Sequence, residues 1–163
     1  MKSSLKTLLA TILSLALVAG VAVPLMVRAR RQARMTSCAA NLSELWKTHS
    51  INSIHGHRRS FPRDEGKQFW LQLSTTSPAL VEPGHEIYGC PVRGGVLRGQ
   101  THYLGPRKDV NTLGDSDPVG CDEAFNHGAD GREGGKLLRK SGDVLSLEGP
   151  LWLRFIGERG CIP

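Results

Sequence analysis

The sequence predicts an α+β fold in which a long N-terminal helix packs on a small antiparallel β-sheet. Three patterns along the 163 residues predict it: an uncharged run at residues 8–27, apolar residues at three- and four-residue steps from Met35 to His49, and short apolar runs between turn residues after residue 55. The first two patterns predict one continuous helix from about Leu5 to Ile51, with a transmembrane half and an amphipathic half.

Residues 8–27 predict a membrane anchor. A helix needs about 20 apolar residues to cross the hydrocarbon core of a bilayer, and this run has that length without an ionisable side chain. A cleaved secretory signal is the alternative, because Lys2 and Lys6 precede the run and Ala19-Gly20-Val21-Ala22 offers small residues for cleavage. Since the apolar region of a signal peptide usually has about 7–15 residues, the length favours an uncleaved or trimmed anchor.

Four arginines directly follow the apolar run: Arg28, Arg30, Arg31 and Arg34. Their position predicts contact with anionic lipid headgroups at the membrane surface. Setting these four charges aside lowers the formal net charge of the chain from +6 to +2, so no basic face for nucleic acid is indicated. We therefore expect membrane lipid, and no nucleic acid, among the partners.

These patterns divide the chain into four segments. Residues 1–7 form a short basic N-terminal segment, residues 8–27 the transmembrane helix, residues 28–54 the basic collar with the amphipathic continuation of the helix, and residues 55–163 a small loop-rich α+β head. The head should have short elements, because most of the 19 glycines and 9 prolines follow residue 55.

Within the head, three runs predict secondary structure. Gly66–Leu73 predicts a short helix, which the following Ser-Thr-Thr-Ser-Pro sequence ends. Val144–Leu147 and Leu151–Ile156 are separated by Glu-Gly-Pro and predict a β-hairpin.

The four cysteines, Cys38, Cys90, Cys121 and Cys161, lack the Cys-x-x-Cys spacing of structural zinc sites. An even number of scattered cysteines in an exported chain indicates disulfide bonds. The charges beside the apolar run slightly favour a cytoplasmic C-terminus, but we give the cysteines more weight and place the head outside the cytoplasmic membrane. Four cysteines permit three connectivities, among which we favour Cys38–Cys90 with Cys121–Cys161.

Short motifs follow one another in a recognisable order along most of the chain. They are Cys38-Ala-Ala-Asn41-Leu42 after the basic collar, Phe61-Pro62, Trp70-x-x-Leu73, Tyr88-x-Cys90-Pro91, Tyr103-Leu104-Gly105-Pro106, Asn126-His127-Gly128 and Ser141-Gly142-Asp143-Val144. With the long apolar helix, they resemble bacterial type IV pilin-like and type II secretion pseudopilin-like proteins. The resemblance implies a pilin-like fold and marks Asn126, His127 and Gly142 as family-motif positions.

The resemblance also implies a function. The implied protein is a non-enzymatic subunit that crosses the inner membrane once and has its C-terminal head in the periplasm. It associates with other pilin-like subunits through the N-terminal helix. Members of the family usually carry a Gly-Phe peptidase site and a glutamate early in the mature helix, whereas here no glycine occurs in residues 1–6 and no acidic residue precedes Glu44. A divergent or minor subunit is therefore implied. The alternative is a stand-alone membrane-anchored or secreted periplasmic binding protein with a disulfide-held head.

Candidate chemistry in the head is sparse. The sequence has no Gly-x-Ser-x-Gly elbow and no phosphate-binding loop, so we expect no enzymatic activity. Asp115, Asp117 and Asp122 offer the hard oxygen ligands that calcium prefers, and the resemblance implies calcium in a C-terminal loop; plain Asx-turns are the alternative. We expect no other cofactor, and we interpret His55-Gly56-His57 as a solvated turn.

Overall fold

The computed structural model of the chain describes residues 2–55, 60–123, 126–127 and 134–159. The chain divides into two compact units, Met1–Ala33 and Arg34–Pro163. Helix α1 spans Lys2–His55 and contains Pro24 within it. The prediction of one continuous N-terminal helix is therefore confirmed.

The first unit is an apolar helix with its side chains exposed. Leu13 and Leu17 each expose 71% of their side-chain surface, and between residues 8 and 27 only Ala22 is partly buried. This part of α1 is long and apolar enough to cross a membrane. We call residues 8–27 the stem.

The second unit contains the sheet. Its helices and strands are α2 (Gly66–Thr75), β1 (Tyr103–Leu104), β2 (Pro118–Asp122), β3 (Gly135–Arg139), β4 (Val144–Leu147) and α3 (Gly149–Arg159). Short 3-10 helices occur at Glu86–Tyr88 and Val110–Thr112. In the described part of the chain, the four strands pair antiparallel in the order β1-β2-β3-β4. The predicted α+β class and the predicted short helix at α2 are confirmed.

The main core lies between the second half of α1, helix α2 and one face of the sheet. The predicted amphipathic face of α1 is confirmed, because Cys38, Leu42, Leu45 and His49 are at most 2% exposed. Ten further buried residues belong to this core: Trp46, Phe69, Trp70, Leu73, Tyr88, Cys90, Tyr103, Val110, Val119 and Leu138.

The opposite face of the sheet forms a smaller core with α3. Successive residues of a strand point to opposite faces, so Leu138 of β3 joins the main core while Leu137 joins the smaller one. Leu104 of β1, Cys121 of β2 and Trp152 of α3 complete the smaller core. The sheet therefore carries a helix layer on each face.

Two glycines let aromatic rings lie against the strands. A Cβ atom at Gly120 of β2 would overlap the Trp70 ring, and a Cβ atom at Gly135 of β3 would overlap the Trp152 ring. Any larger residue at either position would push a helix away from the sheet.

The predicted hairpin is wrong, because Leu151–Ile156 lies in helix α3 and β4 pairs with β3 instead. Pro150 occupies the first turn of α3, where its missing N–H leaves no helical hydrogen bond unmade. Trp152 and Phe155, three residues apart, then fall on one helix face with their ring centroids 6.0 Å apart.

Candidate functional site

Four buried side chains converge inside the head from four separate segments. They are Cys38 in α1, Cys90 after the first 3-10 helix, Asp122 at the end of β2, and His127 between β2 and β3. One sulfur, oxygen or nitrogen atom from each lies within 4.8 Å of the others, and each residue is at most 1% exposed. We call this group the Cys–Asp–His cluster.

Cys38 and Cys90 form a disulfide that ties α1 to the segment before β1. Their Cα atoms are 5.2 Å apart and 52 residues apart in sequence. A bridge of this loop length contributes about 2–4 kcal/mol to stability. The predicted Cys38–Cys90 pairing is confirmed, whereas Cys161 of the other predicted pair lies outside the described residues; Cys121 is buried in the smaller core.

Asp122 is a fully buried carboxylate with hydrogen-bond donors around both of its oxygens. Its Oδ2 lies 2.6 Å from His127 Nε2 and accepts the backbone N–H of Lys136 at 2.8 Å. Its Oδ1 lies 3.6 Å from Cys38 Sγ and 3.5 Å from Asn126 Nδ2. Because a buried carboxylate is costly unless it is hydrogen-bonded, β2 and the segment after it are built to hold this group in place.

The side chains of Asn126 and His127 are each only partly satisfied. Asn126 Nδ2 donates to the carbonyl of His102 at 2.6 Å, and His127 Nε2 faces Asp122. Within the described residues, Asn126 Oδ1 and His127 Nδ1 are buried and have no hydrogen-bond partner. Such atoms are uncommon in folded proteins and mark a place where a ligand, water or alternative arrangement is to be sought.

His102 supports the cluster from the Cys90 side. Its Nδ1 accepts the Cys90 backbone N–H at 3.1 Å, so the neutral ring carries its proton on Nε2. Burial lowers the pKa of His102, and the nearby charge of Arg93 lowers it further. The neutral ring that this hydrogen bond requires is therefore favoured.

Tyr103 supports the cluster from the Cys38 side. Its hydroxyl donates to the carbonyl of Gly89 at 3.0 Å and lies 3.6 Å from Cys38 Sγ. Burial raises the pKa of Tyr103, and the charge of Asp122 raises it further. The hydroxyl therefore keeps its proton, which it donates to the Gly89 carbonyl.

A surface cavity of about 520 Å³ borders the residues next to both cysteines. Ser37 and Asn41 line it from α1, and Gly89 and Pro91 line it on either side of Cys90. Asn41 Nδ2 donates to the Gly89 carbonyl at 3.1 Å, which links the two walls. The cavity is open to solvent and lined by both polar and apolar groups, whereas the Cys–Asp–His cluster is closed.

The structure does not bring the predicted calcium ligands together. Asp115 and Asp117 are exposed before β2, where Asp117 Oδ2 accepts the Gly114 N–H at 2.8 Å, whereas Asp122 is buried at the other end of that strand. Asp117 and Asp122 are five residue steps apart along an extended segment, which separates their Cα atoms by about 16 Å. Calcium–oxygen distances are about 2.3–2.6 Å, so one ion cannot contact all three carboxylates.

The remaining predicted positions lie in different places. Arg28, Arg30, Arg31 and Arg34 are exposed on α1. Gly142 has a φ of +96° in the turn between β3 and β4, where its N–H donates to the Arg139 carbonyl at 2.9 Å. Its role is that of a hairpin turn, because a residue with a side chain rarely adopts this conformation.

Sequence reasoning did not predict that the cysteines, Asp122 and His127 share one site. The Asp122-x4-His127 spacing beside a strand end is a sequence signal for part of this site, although the sequence alone marks His127 only as a family-motif position and Asp122 only as a calcium ligand. The spacing alone could not show that Cys38 and Cys90 lie over it.

Comparisons with known proteins add no relative from which a role could be transferred. No protein-family model, no curated protein and no solved structure matches the chain. A long N-terminal apolar helix with a small antiparallel sheet is compatible with a pilin-like fold.

Proposed function

We propose that the chain is a non-enzymatic pilin-like membrane subunit, a minor component of a type II secretion or type IV pilus-like assembly. The observation that carries the proposal is the surface of the stem, whose large apolar side chains are 55–71% exposed. Apolar surface of this extent is unfavourable in water and is stable against lipid or against other apolar helices. The stem would therefore lie in the inner membrane and pack on the stems of other subunits.

The same helix supports both parts of this proposal. Helix α1 provides the stem, and its later residues Cys38, Leu42 and Leu45 form one wall of the main core of the head. One helix that is apolar and exposed first, and amphipathic and packed on a sheet next, is the arrangement expected of a pilin-like subunit.

One of the two hydroxyls within the stem, that of Ser14, is compatible with hydrocarbon. The Ser14 hydroxyl donates to the Ala10 carbonyl one turn earlier, at 2.9 Å. Because this bond lies within the helix, the hydroxyl needs no water when the stem enters a bilayer.

The disulfide supports a head in the periplasm. Disulfides persist in oxidising compartments such as the bacterial periplasm and are rare in the cytosol. A head held by the Cys38–Cys90 bridge would keep about 2–4 kcal/mol of stability there that reduction would remove.

Association of stems would depend on close packing rather than on an ion pair. No acidic residue precedes Glu44, so the stem has no carboxylate to pair with a neighbouring subunit. In lipid, helices associate through van der Waals contact between small residues. The stem contains seven such residues: Ala10, Thr11, Ser14, Ala16, Ala19, Gly20 and Ala22.

Site-specific photo-crosslinking of the stem tests the proposal. A photoreactive phenylalanine analogue is introduced singly at Leu13, Leu15 or Leu17 in the full chain, expressed in cells that contain the other assembly subunits. Leu13 and Leu17 share one helix face, and Leu15 lies on the opposite face, which provides a matched control. We expect products with a second stem from one face and few from the other, and retention in carbonate-washed membranes.

The outcomes separate this proposal from its alternative. Retention in membranes without any stem crosslink would overturn the proposed assembly and favour a stand-alone anchored binding protein. The candidate ligand site of such a protein is the cavity of about 520 Å³ beside Ser37 and Gly89. Release from membranes by carbonate would overturn the anchor itself.

A further inference from the structure

We propose that the Cys–Asp–His cluster has a second state, in which the reduced chain binds one Zn²⁺-like cation. The ligands would be the Cys38 and Cys90 thiolates, the Asp122 carboxylate and the His127 imidazole. Thiolate and imidazole are the ligands that Zn²⁺ selects most often, and carboxylate completes such sites. This proposal stands independently of the pilin-like role.

The spacing of the ligand atoms fits one small cation. In a tetrahedral site with bond lengths of about 2.0–2.3 Å, neighbouring ligand atoms lie about 3.3–3.8 Å apart. Cys38 Sγ and Asp122 Oδ1 are 3.6 Å apart, and one ligand atom from each of the four residues lies within 4.8 Å of the others. Two pairs are closer than this: His127 Nε2 and Asp122 Oδ2, at 2.6 Å, and the two sulfurs, which are bonded in the disulfide. The cation therefore requires His127 and Asp122 to move apart by about 1 Å and the two sulfurs to separate after reduction.

The burial of the cluster favours a structural site over a catalytic one. All four ligand residues are at most 1% exposed, and four protein ligands fill a tetrahedral shell and leave no position for water or substrate. The cation would also compensate the buried charge of Asp122, which in the disulfide form faces His127.

The surroundings provide the outer-shell hydrogen bonds that such a site needs. The Lys136 backbone N–H donates to Asp122 Oδ2 at 2.8 Å, and Asn126 Nδ2 lies 3.5 Å from Asp122 Oδ1. Donors of this kind orient a carboxylate ligand and spread its negative charge.

The unpartnered nitrogen of His127 is a second observation that points to a ligand. Nδ1 of this 1% exposed residue has no partner within the described residues. When Nε2 binds a metal, the ring proton must lie on Nδ1. The adjacent Asn126 Oδ1 is a buried acceptor that also has no partner within the described residues. Metal binding at Nε2 would therefore make Nδ1 a donor, next to an acceptor that needs one.

The chemistry balances with a thiol or phosphine reductant. Two reductant thiols donate two electrons and two protons to the Cys38–Cys90 bond, giving two cysteine thiols and one reductant disulfide. A phosphine instead donates the two electrons and takes the oxygen of one water molecule, whose two protons go to the sulfurs, giving two cysteine thiols and one phosphine oxide. The cation then replaces the protons of both thiols, which are released to solvent. A newly made chain, whose cysteines have not been oxidised, reaches the same state without a reductant.

Cobalt titration tests the proposal on the full chain in detergent micelles. The protein is reduced with a phosphine, desalted without oxygen and titrated with Co²⁺. We expect one Co²⁺ per chain, the visible bands of tetrahedral cobalt and a thiolate-to-cobalt charge-transfer band. Zn²⁺ should displace the Co²⁺ and so remove these bands. Re-oxidation to the disulfide should release the metal.

Matched variants locate the site. Cys90→Ser and His127→Gln should each weaken Co²⁺ binding by about tenfold or more. Cys121 is a buried cysteine of the smaller core, so the Cys121→Ser variant should bind Co²⁺ as the parent does. Circular dichroism before titration shows whether each variant is folded. If a variant is not folded, the titration of the reduced parent alone decides whether the chain binds the metal. Octahedral cobalt, no stoichiometric binding by the reduced parent, or a charge-transfer band that survives Cys90→Ser would overturn the proposal.

Discussion

His49 is a titratable side chain that the main core keeps neutral. It is 2% exposed, its ring stacks on Phe69 at a centroid distance of 4.3 Å, and Nε2 lies 2.8 Å from the Phe69 carbonyl. Burial lowers the pKa of His49 from 6.5 to about 4, although the bond to the Phe69 carbonyl partly opposes this. The unfolded chain therefore binds the proton more readily than the folded head does.

This difference predicts acid destabilisation of the head. The contribution of neutral His49 to the free energy of unfolding is complete above pH 6.5. It is lost as the pH falls towards 4, and the loss amounts to about 3 kcal/mol. Chemical denaturation at several pH values measures it. His49→Gln, whose amide can replace the Nε2 donor but does not titrate, should be less sensitive to pH across this range, while His102 remains in both proteins. Equal pH dependence of the two proteins would contradict this reading.

Helix α3 stabilises the outer face of the sheet mainly through one side chain. Trp152 is fully buried over Gly135 of β3, whereas its neighbour Leu153 is 45% exposed. The smaller core has few other members, so it has little means of filling the space that Trp152 would leave.

Trp152→Ala should therefore lower the free energy of unfolding by about 3–5 kcal/mol, the range for removing a buried tryptophan. Leu153→Ala on the exposed face of α3 is the matched control and should cost well under half of that. Urea denaturation of both variants measures the difference. Comparable losses would show that α3 packs through another face.

The elements show what the sequence can and cannot predict. The buried face of α1 was predictable, because Leu42 and Leu45 repeat with a local helical period. The run that begins at Leu151 was not predictable as a helix from periodicity, because its alternating apolar residues also suit a strand; the local signal for the helix is Pro150 in its first turn. The Cys–Asp–His cluster was not predictable, because its members come from four segments that only tertiary packing brings together.

At the scale of the whole molecule, the two units have opposite surfaces. The stem exposes nearly all of its apolar side chains, whereas the head buries most of its large apolar side chains in two cores and exposes a few, such as Leu97 and Leu151. Between residues 28 and 34, four arginines carry four of the six net positive charges of the chain. Under the proposed function, these arginines would lie among lipid headgroups, with the stem in the hydrocarbon and the head in an oxidising compartment.

Intact-mass spectrometry of the protein extracted from membranes tests this arrangement most directly, when spectra are taken with and without a reductant. We expect a mass that includes all of residues 8–27 and that rises on reduction by two hydrogen atoms for each disulfide. A trim near residue 6 would fit pilin-like processing. A mature chain that begins near Ala22, or a mass that does not change on reduction, would contradict a membrane-anchored subunit with an oxidised head.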